Sequence, residues 1–203
     1  MNADSTGLVL HSREGTRWFF DPGALCLEFL TTGGPDDLAR FEVLHNPEDL
    51  TDWLALSRLR LSPASVSVSS AELQAAHRLR DALWGLARET AHGRLPGERD
   101  VAEVNRAAAG PSLVPQIGDD GTHSWQPSAA GGQALSAIAR DAVGLFTGRL
   151  AARVRECGAH DCFLIFVDAS RPGQRRWCAM ERCGNRHKVR ALRARREKGE
   201  SLS

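Results

Sequence analysis

The stretch "CGAHDCFLIFVDASRPGQRRWCAMERC", residues 157 to 183, contains four of the five cysteines of this 203-residue chain. They form two pairs, each with four intervening residues, and 15 residues separate the pairs. A short spacing lets one turn present two thiolates, and four soft sulfur ligands suit a tetrahedral zinc site. In a reducing compartment, clustered cysteines favour a metal over disulfide bonds. The spacing therefore predicts one zinc ion, bound by Cys157, Cys162, Cys178 and Cys183.

The predicted zinc site is structural rather than catalytic. A closed shell of four thiolates leaves no position for water or substrate. His160 and His187 lie beside the ligands and could replace one of them, but the cysteines already complete the shell. Four buried, reduced cysteines without a metal are the alternative, and the paired spacing among so many charges argues against it.

The residues around the cysteines predict a treble-clef-like zinc finger over residues 155–203, built from a knuckle, a β-hairpin and a helix. "FLIFVD" reads as a strand, "ASRPGQ" as a turn and "RRWCA" as a returning strand, with Trp177 shielding the metal. The segment after the last cysteine reads as a helix, with Asn185 as a cap near its start and Gly199 after its end. So small a unit buries little apolar surface, and the metal should supply much of its stability.

Residues 1–154 predict a mainly helical domain with a small β-hairpin, so the fold class is α+β. Asn46 and the pair Ser69 and Glu72 mark two helix starts, the second as a capping box. The longest helical periodicity runs almost straight into the cysteines, so we expect a stiff attachment of the finger. The predicted elements are a strand and a turn followed by a strand or short helix within 18–30, helices near 46–58, 69–93, 98–109 and 133–154, and a hairpin within 112–125.

The net charge of +1 conceals a division along the chain. Residues 149–203 carry 14 basic and 6 acidic side chains, a net charge of +8, against −7 for residues 1–148. The basic end is the part expected to meet a polyanion. Only Lys188 and Lys198 are lysines. Arginine binds phosphate and guanine well, although a genome biased toward arginine codons would give the same composition.

The basic residues of the finger predict a nucleic-acid surface. On a helix beginning near Asn185, the arginines and Lys198 spread over one broad side, and Val189 and Leu192 form a narrow apolar stripe for docking on the hairpin. Such a helix fits a major groove, and hairpin arginines can grip phosphate. Asp168 could orient Arg171 or Arg176. Arg195 and Arg196 could equally be solvated surface charges. The predicted contacts are Arg171, Arg175, Arg176, Arg186, Lys188, Arg190 and Arg193.

The stretch "DCFLIFVDASRPGQRRWCAMERCGNRHKVRALRARRE" closely resembles the zinc finger named after its Cys-Gly-Asn-Arg (CGNR) motif, residues 183–186 here. The rest resembles the ABATE-type domain that precedes this finger in bacterial proteins described as stress-responsive transcriptional regulators. "LCLEFLTT", residues 25–32, departs from the family's Leu-Asp-Phe-x-Asn-Thr, because Glu28 replaces Asp and Thr31 replaces Asn. "NPEDLTDWL" and "LRDALWGL" fit the helices that follow. The resemblance implies zinc binding by the four cysteines and DNA binding by the basic end.

These observations predict a bacterial, cytoplasmic transcription regulator whose finger binds double-stranded DNA. The N-terminal domain would sense a small-molecule effector or form a homodimer, since one small finger reads few base pairs. No signal peptide and no apolar run of about 18 residues is evident, so no membrane is expected. A zinc-stabilised interaction module that binds RNA or an acidic protein is the alternative.

An enzyme is not expected, because the titratable residues of the N-terminal domain form no catalytic motif. Cys26 reads as a core residue, and would be a redox sensor only if exposed and acidic. The candidates that we considered are His45, His77, His92, Glu28 and Asp81.

Overall fold

The computed structural model describes residues 6–12 and 15–200, with the side chains of 196–200 left out. About half of this part is helical, and its strands pair into two-stranded sheets, which confirms the α+β class. The helices are α1 (Leu25–Phe29), α2 (Pro47–Leu56), α3 (Ser70–Ala91), α4 (Glu98–Ala108), α5 (Gly131–Thr147) and α6 (Asn185–Glu200). The strands are β1 (Leu8–His11), β2 (Arg17–Phe20), β3 (Val66–Ser67), β4 (Pro115–Ile117), β5 (His123–Trp125), β6 (Ala129–Ala130), β7 (Val154–Glu156) and β8 (Ile165–Val167).

The helix starts follow the local sequence signals. Asn46 accepts a hydrogen bond from the backbone N–H of Asp49 at α2, and Ser69 accepts one from Glu72 at α3. In both helices the acidic side chain accepts a hydrogen bond from the N–H of the cap residue. This confirms the capping box predicted at α3, and it gives α2 a capping box where the sequence predicted only a cap at Asn46. Gly93, at φ +69°, follows the end of α3, where the left-handed backbone suits glycine.

The main core lies between α3, α4 and α5, with α1 and α2 packed against α3 and α5. Leu79 and Leu83 of α3 and Ile138 of α5 are almost completely buried in it. The β4–β5 hairpin has the predicted position, and its register places Ile117 opposite His123. Within the described residues, no helix combines the length and apolarity that a membrane crossing requires.

Helix α5 is shorter than its periodicity predicts. The helix ends at Thr147, because Gly148 takes an extended conformation and glycine is a poor helix former. The chain then passes through a 3₁₀ turn at Ala151–Arg153 into β7. Val154, expected on the helix, is instead fully buried in that strand.

The strand pairing of the finger also differs from the prediction. Strand β8 pairs antiparallel with β7, with Val154 opposite Val167, and not with the segment "RRWCA". That segment is irregular because other acceptors take its N–H groups. The carboxylate of Asp168 accepts from the N–H of Arg175 at 2.9 Å, and the sulfur of Cys157 accepts from that of Cys178 at 3.4 Å.

Strand β8 joins two apolar clusters, since side chains alternate between the faces of a strand. Ile165 and Val167 pack into the main core. Phe166, between them, belongs to a second cluster with the four cysteines. Trp18 and Phe20 of the N-terminal β1–β2 hairpin belong to that second cluster as well. The contact between the helical core and the finger therefore runs through β8, paired with β7, and not through α5 as predicted.

Candidate metal centre and basic surface

The four predicted zinc ligands lie together. The sulfur atoms of Cys157, Cys162, Cys178 and Cys183 are all within 4.8 Å of one another, and all four residues are buried. Cys178 Sγ lies 3.7 Å from Cys162 Sγ and 3.5 Å from Cys183 Sγ. A tetrahedron with Zn–S bonds of about 2.3 Å has edges of about 3.8 Å. The donor set therefore fits one structural zinc ion.

Local backbone geometry positions the first pair of ligands. Cys157 follows β7 directly, and its N–H donates to the carbonyl of Leu164 at 2.9 Å. The N–H of Cys162 donates to Ala159 at 3.0 Å, which closes the turn between the two cysteines. This is the knuckle that the spacing predicted.

The second pair ends on a π-helical turn, Met180–Gly184, directly before α6. Cys183 lies in this turn, so the last ligand fixes the start of the helix. Asn185 has ordinary helical angles, φ −67° and ψ −40°, and needs no unusual backbone conformation. The adjacent Gly184 packs closely, since a Cβ atom there would lie 2.6 Å from the Met180 sulfur and would displace that exposed side chain.

Hydrogen bonds from the three other cysteines, Cys162 first, lower the pKa of Cys157 far below its ordinary value. The same bonds raise the pKa of Cys162 and Cys178. Cys157 raises the pKa of Cys183, but hydrogen bonds from Cys162 and Cys178 lower it to about 7. Zinc would bind these sulfurs in their deprotonated form. The guanidinium of Arg186, 3.7 Å from Cys183 Sγ, adds a positive charge beside the thiolates.

Trp177 covers one side of the cysteine cluster, as predicted from its position. Its ring packs against Gly158 and Gly184, where added Cβ atoms would lie 3.4 and 3.3 Å from ring carbons. The ring also stacks on His187, with 4.7 Å between centroids. His160 lies at the surface beside Asp161 and Arg190. Neither histidine belongs to the group of ligand atoms that could hold the metal.

Four of the predicted nucleic-acid contacts are exposed cations that form no ion pair within the described part of the finger, and we call them the basic surface: Arg171, Arg176, Lys188 and Arg193. Arg171 and Arg176 lie on the loop before the third cysteine, and the other two lie on α6. Arg176 also lies over the Trp177 ring, at 5.3 Å from its centroid. The side chains of Arg196 and Lys198, also considered above, fall outside the described residues.

Two further helix arginines are paired with one carboxylate. Asp161 accepts a hydrogen bond from Arg186 at 2.9 Å and one from Arg190 at 3.4 Å. These guanidinium groups hold the pKa of Asp161 below its usual value, against the opposing effect of burial. Asp161 was not singled out in the sequence, because its two partners lie 25 and 29 residues away.

Arg175 turns inward, unlike its neighbour Arg176. It donates to the carbonyl of Trp177 at 3.1 Å and to that of Cys178, and its guanidinium lies 4.1 Å from the centre of the Phe166 ring. Burial lowers its pKa. These contacts hold the loop before Cys178 in place, and they disfavour the predicted role of Arg175 in gripping phosphate.

The structure corrects three expectations about the finger. The carboxylate of Asp168 is buried and binds Ser170 and the Arg175 backbone instead of orienting Arg171 or Arg176, because it caps the turn that follows β8. Val189 and Leu192 do not dock on the hairpin, since they are 48% and 51% exposed on a helix that projects from the finger. Helix α6 also continues to Glu200, past Gly199.

The titratable residues of the N-terminal domain are held by separate partners. Glu28 is buried and paired with Arg58 at 2.9 Å, while His77 bonds the carbonyl of Leu44. His92 pairs with Glu156, and His45 and Asp81 are exposed. Burial raises the pKa of Cys26 well above its usual value, so this thiol lacks the acidity of a redox sensor.

The contribution of Trp18 and Phe20 to the cysteine cluster was not expected. The segment "RWFF" does show the alternation of a strand, with Trp18 and Phe20 on its buried face. Nothing in that pattern says which surface the strand covers. The side chain of Arg182, 4.0 Å from the Trp18 ring centre, links the N-terminal hairpin to the turn that carries Cys183.

Comparison with known proteins agrees with this architecture. The family model ABATE, described as "Putative stress-induced transcription regulator", matches residues 23–149. The model described as CGNR zinc finger matches residues 153–196. No curated protein matches the sequence. The first match covers well over half of the chain, and the second contains the four clustered cysteines. This chain therefore belongs to the ABATE family and carries a C-terminal CGNR zinc finger with one structural zinc ion.

Proposed function

We propose that this chain is a bacterial, cytoplasmic transcription regulator that binds double-stranded DNA through the basic surface of its finger. The observation that carries the proposal is the position of Cys183 at the start of α6. The zinc site thereby fixes a helix with exposed Lys188 and Arg193, beside a loop with exposed Arg171 and Arg176. An α-helix of this kind fits the major groove, and loop arginines can bind phosphate.

The proposal includes a homodimer, because a single small finger contacts few base pairs. It also places the protein in the cytoplasm, since its free cysteines need a reducing compartment. We further propose that the chain is not an enzyme. The partners of Glu28, His77 and His92 support this, because each group is already engaged by the fold.

The test is fluorescence anisotropy of a labelled duplex across a salt series, with zinc-loaded protein and after chelation. If each exposed cation of the basic surface neutralises one phosphate, log K should fall against log[salt] with a slope of about −4. Chelation should abolish binding. No binding at low salt, or binding that survives complete zinc removal, would refute the proposal.

A matched pair of variants locates the surface. Arg193→Gln removes an exposed charge from α6, and Arg99→Gln removes an exposed charge from α4. The first should weaken DNA binding and reduce the salt slope by about 1, while the second should leave both unchanged. Equal effects of the two would indicate attraction by the overall charge and not by the finger.

An acidic protein partner is the second candidate. The specific observation in its favour is the exposure of Val189 and Leu192 among the arginines of α6, since an apolar stripe contributes to protein interfaces more than to phosphate binding. Val189→Ser with Leu192→Ser should leave DNA binding intact if the first proposal holds. Structured RNA as a competitor distinguishes the remaining nucleic-acid alternative.

A further inference from the structure

A cavity of about 790 Å³ lies where the N-terminal hairpin, the ABATE domain and the zinc finger meet. Its size is within the range of small-molecule sites, about 300–1,000 Å³. One wall comes from the hairpin, a second from residues 30–43 with α2 and α3, and a third from the finger. A ligand here would therefore touch all three parts of the molecule.

The walls of this cavity are rich in aromatic side chains. Trp18, Phe41, Trp53, Trp84 and Phe163 all line it. The indole of Trp84 is fixed by a 2.8 Å hydrogen bond to the carbonyl of Gly33. Gly33 itself has φ +131°, and a Cβ there would lie 2.9 Å from the Glu42 backbone, so the wall is held by tight packing. These rigid apolar surfaces suit a flat or chain-like apolar ligand body.

Three donors on lining residues are left without an acceptor. The indole N–H groups of Trp18 and Trp53 and the Nε–H of Arg186 are buried and find no partner among the described residues. Buried donors are nearly always paired in folded proteins. Because these three atoms are enclosed by protein and do not face the open cavity, they supply no ligand contact, and the finger-wall contact of a ligand rests on the arginines described next.

The charges around the cavity favour an anionic ligand head. Of its three carboxylates, Glu42 is paired with Arg80, and Asp161 is paired with two arginines of α6. Glu181 is the third. The lining arginines are Arg40, Arg182 and Arg186, and Arg186 is one of the two arginines that share the Asp161 carboxylate. Arg182 lies over the Trp18 ring and forms no ion pair within the described part of the chain.

We propose that this cavity binds a small apolar monocarboxylate. Its apolar body lies against the aromatic wall of the ABATE domain, and its carboxylate lies at the finger wall beside Arg182 and Arg186. Resting on the function proposed above, this is the effector site. A carboxylate beside Arg186 competes with Asp161 for that arginine, so occupancy changes the start of α6 and the affinity for DNA.

The first experiment measures binding without DNA, so that it does not depend on the proposed function. Zinc-loaded protein is titrated by calorimetry with 2-naphthoate, with octanoate and with the neutral 2-naphthamide. We expect both carboxylates to bind with a Kd below about 1 mM, a weak-ligand affinity, and the amide to bind at least tenfold more weakly. Failure of both carboxylates to bind below that limit overturns the proposal, as does equal binding of the amide.

A matched pair of variants tests the location. Leu56 lines the cavity and is 72% exposed, whereas Leu95 lies elsewhere and is 92% exposed. Leu56→Trp should weaken 2-naphthoate binding at least tenfold, and Leu95→Trp should not change it. Arg182→Gln should remove the preference for carboxylate over amide. The zinc content of each variant verifies that the finger is intact, and unchanged binding in Leu56→Trp and Arg182→Gln would place the site elsewhere.

The second experiment repeats the DNA titration with saturating 2-naphthoate. A change in DNA affinity of at least threefold, lost in Leu56→Trp, supports the effector role. Binding of the probe with unchanged DNA affinity overturns that role and leaves the cavity a ligand site. If the protein binds 2-naphthoate but no DNA, the proposed function is refuted and the proposed ligand site is not.

Discussion

Replacing Trp18 with Ala should weaken zinc binding, although Trp18 is 139 residues from the first ligand in the sequence. The indole is 5% exposed and packs in the cluster that contains the four cysteines. Truncating a buried Trp costs about 3–5 kcal/mol, and the Arg182 contact adds about 0.5–2 kcal/mol. We expect the contact with the finger to depend on the metal, because zinc should supply much of the stability of so small a unit. If about half of the lost packing energy comes from the contact with the finger, zinc binding loses about 2 kcal/mol, which is a roughly 30-fold weaker zinc affinity.

The assay is competition for zinc against a chromogenic chelator. The control is Trp125→Ala, since Trp125 is partly buried, packs on the main core and donates to the carbonyl of Leu59 at 2.7 Å. The control should lower the free energy of unfolding and leave zinc affinity within about twofold of that of the unchanged protein. A Trp18→Ala variant that folds and retains wild-type zinc affinity would refute the argument that the hairpin and the finger form one unit.

Three other changes have defined outcomes. Asp161→Asn releases Arg186 and Arg190 for contact with phosphate. DNA affinity should therefore rise roughly three- to tenfold, and the salt slope should steepen by about 1. A loss of DNA affinity would show instead that Asp161 positions these arginines. Arg58→Met leaves the Glu28 carboxylate buried with only a backbone N–H donor, and should cost about 3 kcal/mol of unfolding free energy at neutral pH. Burial raises the pKa of Glu28 and Arg58 opposes this, so stability is greatest with the carboxyl protonated and is lost as pH rises through its pKa. The deficit of Arg58→Met should therefore shrink in acid, as denaturant titrations at several pH values would show. Ser69→Ala removes the cap of α3 and should cost about 1 kcal/mol, measured in the same way, whereas the neighbouring exposed Ser70→Ala should cost far less.

The elements that short-range sequence signals determine could be predicted, and those that depend on distant contacts could not. Paired cysteine spacing constrains two turns directly, and so it predicted the metal and its ligands. The Asn46 cap and the capping box of Ser69 and Glu72 likewise marked the starts of α2 and α3 within a residue. The partner of β8 depends instead on acceptors such as the Asp168 carboxylate, which take the N–H groups of the expected strand. Periodicity also overran the end of α5, because Val154 is apolar in either a helix or a strand.

The candidate nucleic-acid residues illustrate the same limit. Charge composition placed them on the finger, but it does not distinguish Arg176, which faces solvent, from Arg175, which bonds the carbonyls of Trp177 and Cys178. The cavity was also inaccessible to sequence reasoning. Its walls come from segments as far apart as Leu8 and Arg186, and only the folded chain brings them together.

Strand β8 has a consequence for the lifetime of the protein in the cell. Ile165 and Val167 belong to the main core, while Phe166, between them, belongs to the cysteine cluster. Loss of the metal should therefore loosen β8, and the helices that pack on this strand would lose part of their support. Loss of zinc should then raise the population of open forms throughout the chain, and proteases act on such forms. Zinc supply would thus set how much of this regulator is present, in addition to how well each copy binds.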